Sequence, residues 1–255
     1  MALELNLEKS AKTLALCLEK AGIVVPPQLE VGFAMDVSGS FEDEHTSGVT
    51  NDLLTRLVPW GLAFDPDKKL DCFTFSHGED HAVDVGPVDA TNYTNFVKAK
   101  ICEKVGGRVI GKVKGFNGGT DYSYVLEKML SHFGWTGVVK KAGFFGKLMG
   151  KKDEVVAGAK KRSLVIIATD GDNSDKQRTL DVLRASETRG DKVYFLFLGI
   201  SNQGSRFPFL ERIGDQFSNT GFVSIPNLRK FVQMSDEEIN QQLIGDELLA
   251  WFAGK

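Results

Sequence analysis

Three oxygen-bearing side chains follow a short apolar stretch near the beginning of the chain. Asp36, Ser38 and Ser40 alternate with other residues directly after the run Leu29–Met35. An apolar run of this length with few charges predicts a buried strand, so the three side chains would stand at its rigid end. Carboxylate and hydroxyl oxygens are hard ligands of the kind that Mg²⁺, Mn²⁺ and Ca²⁺ prefer. The spacing therefore indicates a site for a divalent cation.

Further oxygen ligands occur at two later places that a metal site could use. Thr120 lies in the sequence Gly-Gly-Thr-Asp, and Asp170 lies in Ala-Thr-Asp-Gly. Glycines adjoin both positions and would let the backbone come close to an ion. Asp121 and Asp172 are neighbouring carboxylates without an assured role. Asp121 could instead favour the N-terminus of the helix that follows it.

An alternation of strands and helices would position these ligands. Besides residues 29–37, the clearest strand is Ser163–Thr169, whose unbroken apolar character is typical of a central strand in a parallel sheet. Strands that alternate with helices predict an α/β fold, with a doubly wound, mostly parallel central sheet flanked by helices. Ligands of such sheets bind at the carboxyl ends of the strands. If the two strands are neighbours, the three ligand-bearing loops meet at one edge.

Other segments set further expectations. Phe41–His45 is predicted to be an acidic loop, and residues 106–119 a glycine-rich loop or a strand entering a loop. Residues 122–133 are predicted to be a helix. His77 and His81 have the spacing of a metal-binding pair on a helix, but the glycine between them favours a hairpin turn instead.

The composition is that of an ordinary soluble protein, with 42% hydrophobic and 25% charged residues. The net charge of −3 favours neither nucleic acid nor an anionic membrane as a partner. Three cysteines without a Cys-x-x-Cys spacing argue against a disulfide scaffold and against a cysteine zinc site. No stretch approaches the ~18–20 apolar residues that a membrane span needs. We therefore expect a cytoplasmic protein.

One stretch departs from the acidic balance of the chain. Residues 140–162 contain eight basic residues and two acidic ones, together with Phe144 and Phe145. This predicts a basic insertion at about residues 138–162. The insertion is either a solvated connection between a helix and a strand or an arm that docks on an anionic surface, such as a membrane face or an acidic protein.

The oxygen ligands resemble, in order and spacing, the metal-ion-dependent adhesion site (MIDAS) of von Willebrand factor type A (vWA) domains. The resemblance covers about residues 29–226 and implies a Rossmann-like vWA fold. The five matching positions are Asp36, Ser38, Ser40, Thr120 and Asp170.

The resemblance implies a role for each of these residues. Ser38 and Ser40 would bind the metal directly through their hydroxyls, and Thr120 would do so when a ligand is engaged and through water otherwise. Asp36 and Asp170 would act mostly through bound waters. The remaining position would hold water or a carboxylate from a partner protein. The implied activity is therefore divalent-metal-dependent binding of a protein with an acidic side chain, the ion being Mg²⁺ or else Mn²⁺ or Ca²⁺.

The C-terminal stretch resembles a narrower group within this family. Residues 231–235 lead into an acidic helix, as in the cytoplasmic bacterial or phage proteins allied to tellurium resistance of the Ter type. This implies a setting in a stress-response or defence system. The expected organisation is an N-terminal helical extension at 1–28, a vWA domain at 29–226 and a C-terminal helical extension at 227–255.

Two other functions remain open from the residues alone. A Mg²⁺-dependent phosphoesterase could use Asp36 as its nucleophile, but phosphatases of the haloacid-dehalogenase type want a carboxylate where this chain has Ser38. A scaffold could act through the basic arm at 140–162. We expect a binding module and not an enzyme, because the site offers neither a general base poised at neutral pH nor an activated nucleophile.

Overall fold

The computed structural model describes residues 5–140, 154–156, 158–201 and 206–254. The strands of these residues are β1 Glu30–Asp36, β2 Leu70–Phe75, β3 Val83–Val88, β4 Cys102–Val105, β5 Arg108–Gly111, β6 Val138–Lys140, β7 Glu154–Val156, β8 Ser163–Thr169, β9 Val193–Ile200 and β10 Thr220–Ile225. The helices are α1 Leu7–Lys20, α2 Glu42–Thr46, α3 Val49–Phe64, α4 Phe96–Lys100, α5 Ser123–His132, α6 Lys176–Arg189, α7 Pro208–Gln216, α8 Leu228–Phe231, α9 Asp236–Leu243 and α10 Asp246–Phe252.

Six of the strands form the central sheet, in the order β10-β9-β8-β1-β2-β3. All neighbours pair in parallel except β3, which runs antiparallel to β2. β1 and β8 lie side by side, with Met35 opposite Ala168, and every side chain of β8 is buried. The predicted α/β fold with a mostly parallel sheet flanked by helices is confirmed. The carboxyl ends of β1 and β8 therefore lie at the same edge.

Strand β1 divides its side chains between two hydrophobic cores, one on each face of the sheet. Phe33 and Met35 pack in the core that includes residues of α1, α3 and the C-terminal helices, whereas Ala34 packs in the core that includes residues of α5. Gly32 leaves room for α5, because a Cβ atom at this position would lie 2.5 Å from Cε of Met129. Because β1 is closely packed on both faces, the position of its carboxyl end is fixed relative to the rest of the sheet.

Both ends of the chain pack on the same body. The Ser10 hydroxyl of α1 donates to the Asp236 carboxylate of α9 at 2.7 Å, and Arg56 of α3 donates to the same carboxylate at 2.8 Å. Arg56 also donates to two backbone carbonyls in the segment before α9. The proposed boundaries at residues 28 and 226 stay a prediction.

One predicted loop contains a helix. The prediction of a loop at Phe41–His45 is wrong, because a 3₁₀ turn at Gly39–Phe41 leads into α2. Glu42, Asp43 and Glu44 occupy the first turn of this helix, where carboxylates favour the N-terminal end of the helix dipole. Acidity indicated a loop in the sequence, whereas at this position it supports a helix.

In the next glycine-rich segment, β4 and β5 form an antiparallel hairpin, closed by Gly106 and Gly107 with φ of 57° and 80°. Of the two forms predicted for residues 106–119, a strand entering a loop is therefore the one observed. The predicted basic insertion falls largely outside the described residues. The parts of it that are described are the β6 and β7 backbone, paired antiparallel, and residues 158–162. None of the helices in the described part of the chain has the length and apolar character that crossing a membrane requires.

Candidate metal site

The three predicted ligand segments meet at the carboxyl edge of the sheet. β1 ends at Asp36 and β8 ends at Thr169, immediately before Asp170. The segment after the β4–β5 hairpin runs beside the end of β1, where the Asn117 N–H donates to the Val37 carbonyl at 2.8 Å and the Gly39 N–H donates to the Gly118 carbonyl at 2.9 Å. These backbone hydrogen bonds hold the loop that carries Thr120 against the loop that carries the two serines.

The side-chain oxygens of all five predicted site residues converge. The Ser38 and Ser40 hydroxyl oxygens lie 3.2 Å apart, and the Ser40 hydroxyl donates to Asp170 Oδ1 at 2.9 Å. The Thr120 hydroxyl lies near the Asp36 carboxylate and favours its charged form. We refer to these five residues as the Asp36 cluster.

Asp36 is the most deeply placed member of the cluster and is fully buried. Its Oδ1 accepts from the Ser38 N–H at 2.8 Å, and its Oδ2 accepts from the Thr169 hydroxyl at 2.6 Å. Burial raises the pKa of Asp36 from its ordinary value of 3.8 to about 6, although these hydrogen bonds favour the charged form. Sequence reasoning missed Thr169, whose only signal was its position at the end of a buried strand.

Asp170 is half-buried and lies close enough to Asp36 for the two carboxylates to repel each other. Burial and then the Asp36 charge raise the pKa of Asp170 to about 7. Glu44 adds a further repulsive charge. Among the described residues, no lysine or arginine forms an ion pair with Asp36 or Asp170. The cluster therefore has an excess of negative charge that a bound cation would offset.

The donor set and its spacing suit a small hard cation. Adjacent ligands of an octahedral ion at about 2.1 Å lie about 3 Å apart, which matches both the Ser38–Ser40 and the Ser40–Asp170 oxygen distances. The described residues contain no group of three or more His, Cys, Asp and Glu side chains that could hold a metal. Hydroxyls would therefore have to supply much of the shell. Ser40 is exposed and leaves the site open to solvent.

Three buried side chains support the site from inside the protein, and none was identified from the sequence as part of it. His45 Nε2 donates to the Asp36 carbonyl at 2.8 Å, and the Thr50 hydroxyl donates to His45 Nδ1 at 3.0 Å. This assignment follows because a carbonyl can only accept, and burial lowers the pKa of His45 to about 4, so the ring is neutral. Tyr122 donates its hydroxyl to the Gly171 carbonyl at 2.6 Å and so anchors the loop after β8.

The neighbouring carboxylates, which had no assured role from the sequence, have structural partners. Asp121 does not bond the start of α5; its Oδ2 accepts from the Gly78 N–H at 2.9 Å and lies 2.9 Å from His77 Nδ1. Asp175 takes the expected place instead and accepts from the N–H groups of Tyr122 and Ser123, which begin that helix. Asp121 therefore does not cap α5 through a hydrogen bond, since its carboxylate faces the turn after β2.

Asp172, the other carboxylate without an assured role, forms an ion pair with Lys176 of α6. His81 Nδ1 bonds the carbonyl of His77, and the two histidines lie in a turn between β2 and β3, as expected. Neither ring therefore has the helical setting that a metal-binding pair at this spacing would need.

Comparison with protein families gives a match over most of the chain. A family model described as a vWA domain found in the TerF C terminus matches residues 28–254. A comparison with curated proteins gives no match.

Solved structures of proximal thread matrix protein 1 (PTMP1) from the mussel byssus have a similar fold. Crystal form 2 of PTMP1 is 14% identical, with a TM-score of 0.51, over 85% of this chain and 48% of that one. The PTMP1 structure with a zinc-occupied MIDAS motif is also 14% identical, with a TM-score of 0.50, over 86% and 48%. This chain thus spans about half the length of these proteins. At such low identity the similarity shows the fold alone.

Proposed function

The chain belongs to the family of vWA domains found at the C terminus of TerF, and from this premise we propose that it is a divalent-metal-dependent protein-binding module. The observation that carries the proposal is the convergence of three hydroxyls and two carboxylates at one edge of the sheet, without a basic partner in the described residues. A structurally similar protein, PTMP1, holds zinc in its MIDAS motif.

In this proposal Ser38, Ser40 and Thr120 present hydroxyls to the ion, and Asp36 and Asp170 hold it through their negative charge. The ion is Mg²⁺, Mn²⁺ or Ca²⁺, because oxygen ligands of this kind suit hard cations. The ion supplies a positive centre on a surface that is otherwise acidic. The chain's own residues orient it: Thr169 and the Ser38 N–H fix the Asp36 carboxylate, and Ser40 leaves one side exposed.

The proposed ligand is an acidic side chain of a partner protein. A shell that consists largely of neutral hydroxyls leaves the ion electron-poor, so a carboxylate is the ligand that it attracts most strongly. Without the ion, the charges of Asp36, Asp170 and Glu44 would repel the same carboxylate. We extend the proposal to a bacterial or phage stress-response setting of the tellurium-resistance kind, for which the family name TerF is the support.

The phosphoesterase alternative has less support. Both oxygens of Asp36 accept hydrogen bonds and the side chain is fully buried, which leaves it poorly placed to attack a phosphorus atom. Ser38 also stands where a general acid would be needed. A scaffold that acts through the basic arm would use residues that lie mostly outside the described ranges.

A titration of metal binding tests the proposal directly. We expect saturable binding of Mn²⁺ or Mg²⁺ by calorimetry in the wild type and its loss in the Ser38→Ala/Ser40→Ala double variant. Ser131→Ala, which changes a partly exposed serine on α5, is the matched control and should bind as the wild type does. Equal binding by the double variant would refute the site. Phosphatase turnover that requires Mg²⁺ and is lost in Asp36→Asn would favour the enzyme instead.

A further inference from the structure

A second charged surface lies beside the metal site, on the β4–β5 hairpin and its flanks. We call residues 98–114 the basic hairpin, because they carry six basic residues and one acidic one in a chain whose net charge is −3. Lys112 lies 3.2 Å from Glu103 and neutralises it. The other five basic side chains form no ion pair within the described residues. They are Lys98, Lys100, Lys104, Arg108 and Lys114.

The basic hairpin also exposes apolar side chains. Val105 is 52% exposed and Ile110 is 47% exposed, and they are two of only five large apolar residues with such exposure in the described part of the chain. Val105 is paired with Arg108 and Ile110 with Glu103 in the hairpin register. Alternate residues of a strand share a face, as do residues paired directly across two strands, so Lys104 lies on one side of the hairpin, and Val105, Arg108 and Ile110 lie on the other together with Glu103. This side presents apolar surface next to an unneutralised cation.

A groove of about 350 Å³ separates the basic hairpin from the beginning of α3. Lys98 and Lys104 line it, together with Asn51, Asp52 and the neutralised Glu103. The Asn51 side chain makes three hydrogen bonds of 3.1–3.2 Å to backbone groups around the start of α4. These hydrogen bonds hold one wall of the groove in place. Its volume lies within the range of ~300–1,000 Å³ that is typical of ligand sites.

We propose that the basic hairpin and this groove form a docking surface for an acidic segment of a partner protein that also carries apolar side chains. The segment crosses the tip of the two-stranded hairpin. Its carboxylates complement Lys98 and Lys104 on the groove side and Arg108 on the other side, where its apolar side chains cover Val105 and Ile110. A small anion would leave the apolar side uncovered. A flat lipid surface could reach the tip of the hairpin but could not fill the groove.

The position of this surface fits a partner that also reaches the metal site. The basic hairpin continues directly into the segment whose backbone bonds to the loop of Ser38. Helix α2, which follows the same loop, carries acidic residues, so the basic hairpin is the nearby surface suited to a negatively charged segment. Docking here does not require the ion, and it can therefore be tested with the metal removed.

The test measures binding of defined peptides by fluorescence anisotropy, with the full chain in EDTA at low ionic strength. The probe is a fluorescein-labelled peptide in which glutamates alternate with leucines. Its two comparison peptides replace either all glutamates by glutamine or all leucines by glycine. We expect the glutamate–leucine peptide to bind at least about tenfold more tightly than either, and its affinity to fall with salt because surface charges are screened.

Charge reversal locates the binding surface. Lys104→Glu/Arg108→Glu should weaken binding of the glutamate–leucine peptide at least about tenfold. Lys128→Glu/Lys192→Glu makes the same change in net charge at exposed residues outside the basic hairpin, and should bind as the wild type does. In the Val105→Ser/Ile110→Ser variant, the glutamate–leucine peptide should bind no more tightly than the peptide in which glycine replaces leucine. All these sites are exposed, so the variants should keep the wild-type unfolding temperature.

Three results would overturn the proposal. One is equal loss of affinity in the two charge-reversal variants, which would mean attraction by net charge alone. Another is equal binding of the three peptides. The third is binding to phosphatidylserine vesicles through Lys104 and Arg108 without binding of the acidic peptide, which would make the surface a membrane contact. Because EDTA removes divalent metal ions throughout, none of these outcomes bears on the metal site.

Discussion

The two ends of β1 both carry buried carboxylates, but within the described ranges cations balance them at only one end. At the amino end, the Asp65 carboxylate accepts from the Val31 N–H at 3.2 Å. Burial, and then the side-chain hydrogen bond with the Asp67 carboxyl group, raise the pKa of Asp65 to about 7. Lys69 lies 3.0 Å from Asp67, and Lys161 lies 2.9 Å from Glu30. We call these the Asp65 cluster: Glu30, Asp65, Asp67, Lys69 and Lys161.

At the carboxyl end, the Asp36 cluster has similar carboxylates and no lysine. The pKa values of Asp36 and Asp170 are raised to about 6 and about 7, as that of Asp65 is. The difference is that hydroxyls, and not ammonium groups, surround the carboxylates of the Asp36 cluster. A perturbed pKa alone therefore does not identify a functional site. An uncompensated pair of carboxylates that faces solvent through hydroxyls does indicate one.

The largest expected effect is stabilisation of the Asp36 cluster by an ion. An ion that binds only the folded protein adds about 2.7 kcal/mol to the free energy of unfolding at a free concentration one hundred times Kd. Asp36→Asn should abolish this gain, whereas Asp65→Asn should keep it. Urea unfolding with Mn²⁺ and with EDTA measures both. If Asp65→Asn lost the response and Asp36→Asn kept it, the assignment of the two ends would be reversed.

Asp36→Asn and Asp65→Asn should also differ in their effect on the free energy of unfolding of the metal-free protein. An asparagine at 36 can still accept from the Ser38 N–H and can donate to Thr169, so we expect the free energy of unfolding in EDTA to stay within about 1 kcal/mol of the wild type. Asp65 accepts backbone N–H groups on both of its oxygens, from Val31 and Asp67. An amide offers one acceptor only, so Asp65→Asn should cost about 1–3 kcal/mol. Similar losses in both variants would contradict this difference.

The pH dependence of ion binding should follow from the same carboxylates. Their folded-state pKa values lie above the ordinary 3.8, so the folded, metal-free protein binds protons more tightly than the unfolded chain does. Their protonated forms therefore stabilise the protein below about pH 4, and this contribution is lost as pH rises through about 6–7. An ion replaces those protons, so its affinity should rise with pH by up to about tenfold per pH unit for each proton displaced, and level off above about pH 7. Calorimetry between pH 5 and 8 checks this, and a flat profile would contradict it.

The sequence could predict which side chains converge in the Asp36 cluster, because they stand at or near the ends of strands that are recognisable from their apolar runs. It could not predict the residues that hold those side chains in place. Asp175, in another loop, accepts a hydrogen bond from the start of α5. Thr169, at the end of β8, donates to Asp36 at the end of the adjacent strand β1. His45 lies in an acidic stretch whose sequence gives no sign that its ring will be buried under β1. Such pairings depend on which strands become neighbours, and local patterns do not determine that.

The smallest expected effect tests whether carboxylates without a paired cation are enough to bind the ion, or whether hydroxyl ligands are needed as well. Lys161 is half-exposed and pairs with Glu30, so Lys161→Gln should change the free energy of unfolding by less than about 1 kcal/mol. We expect no stabilisation of this variant by Mn²⁺ beyond that of the wild type, because the Asp65 cluster lacks the hydroxyls that would complete a shell. The comparison uses urea unfolding of Lys161→Gln and of the Lys161→Gln/Asp36→Asn variant, in which the first site is removed. An ion response in the double variant would mean that uncompensated carboxylates alone bind the ion, and the hydroxyls of Ser38, Ser40 and Thr120 would then lose their proposed role.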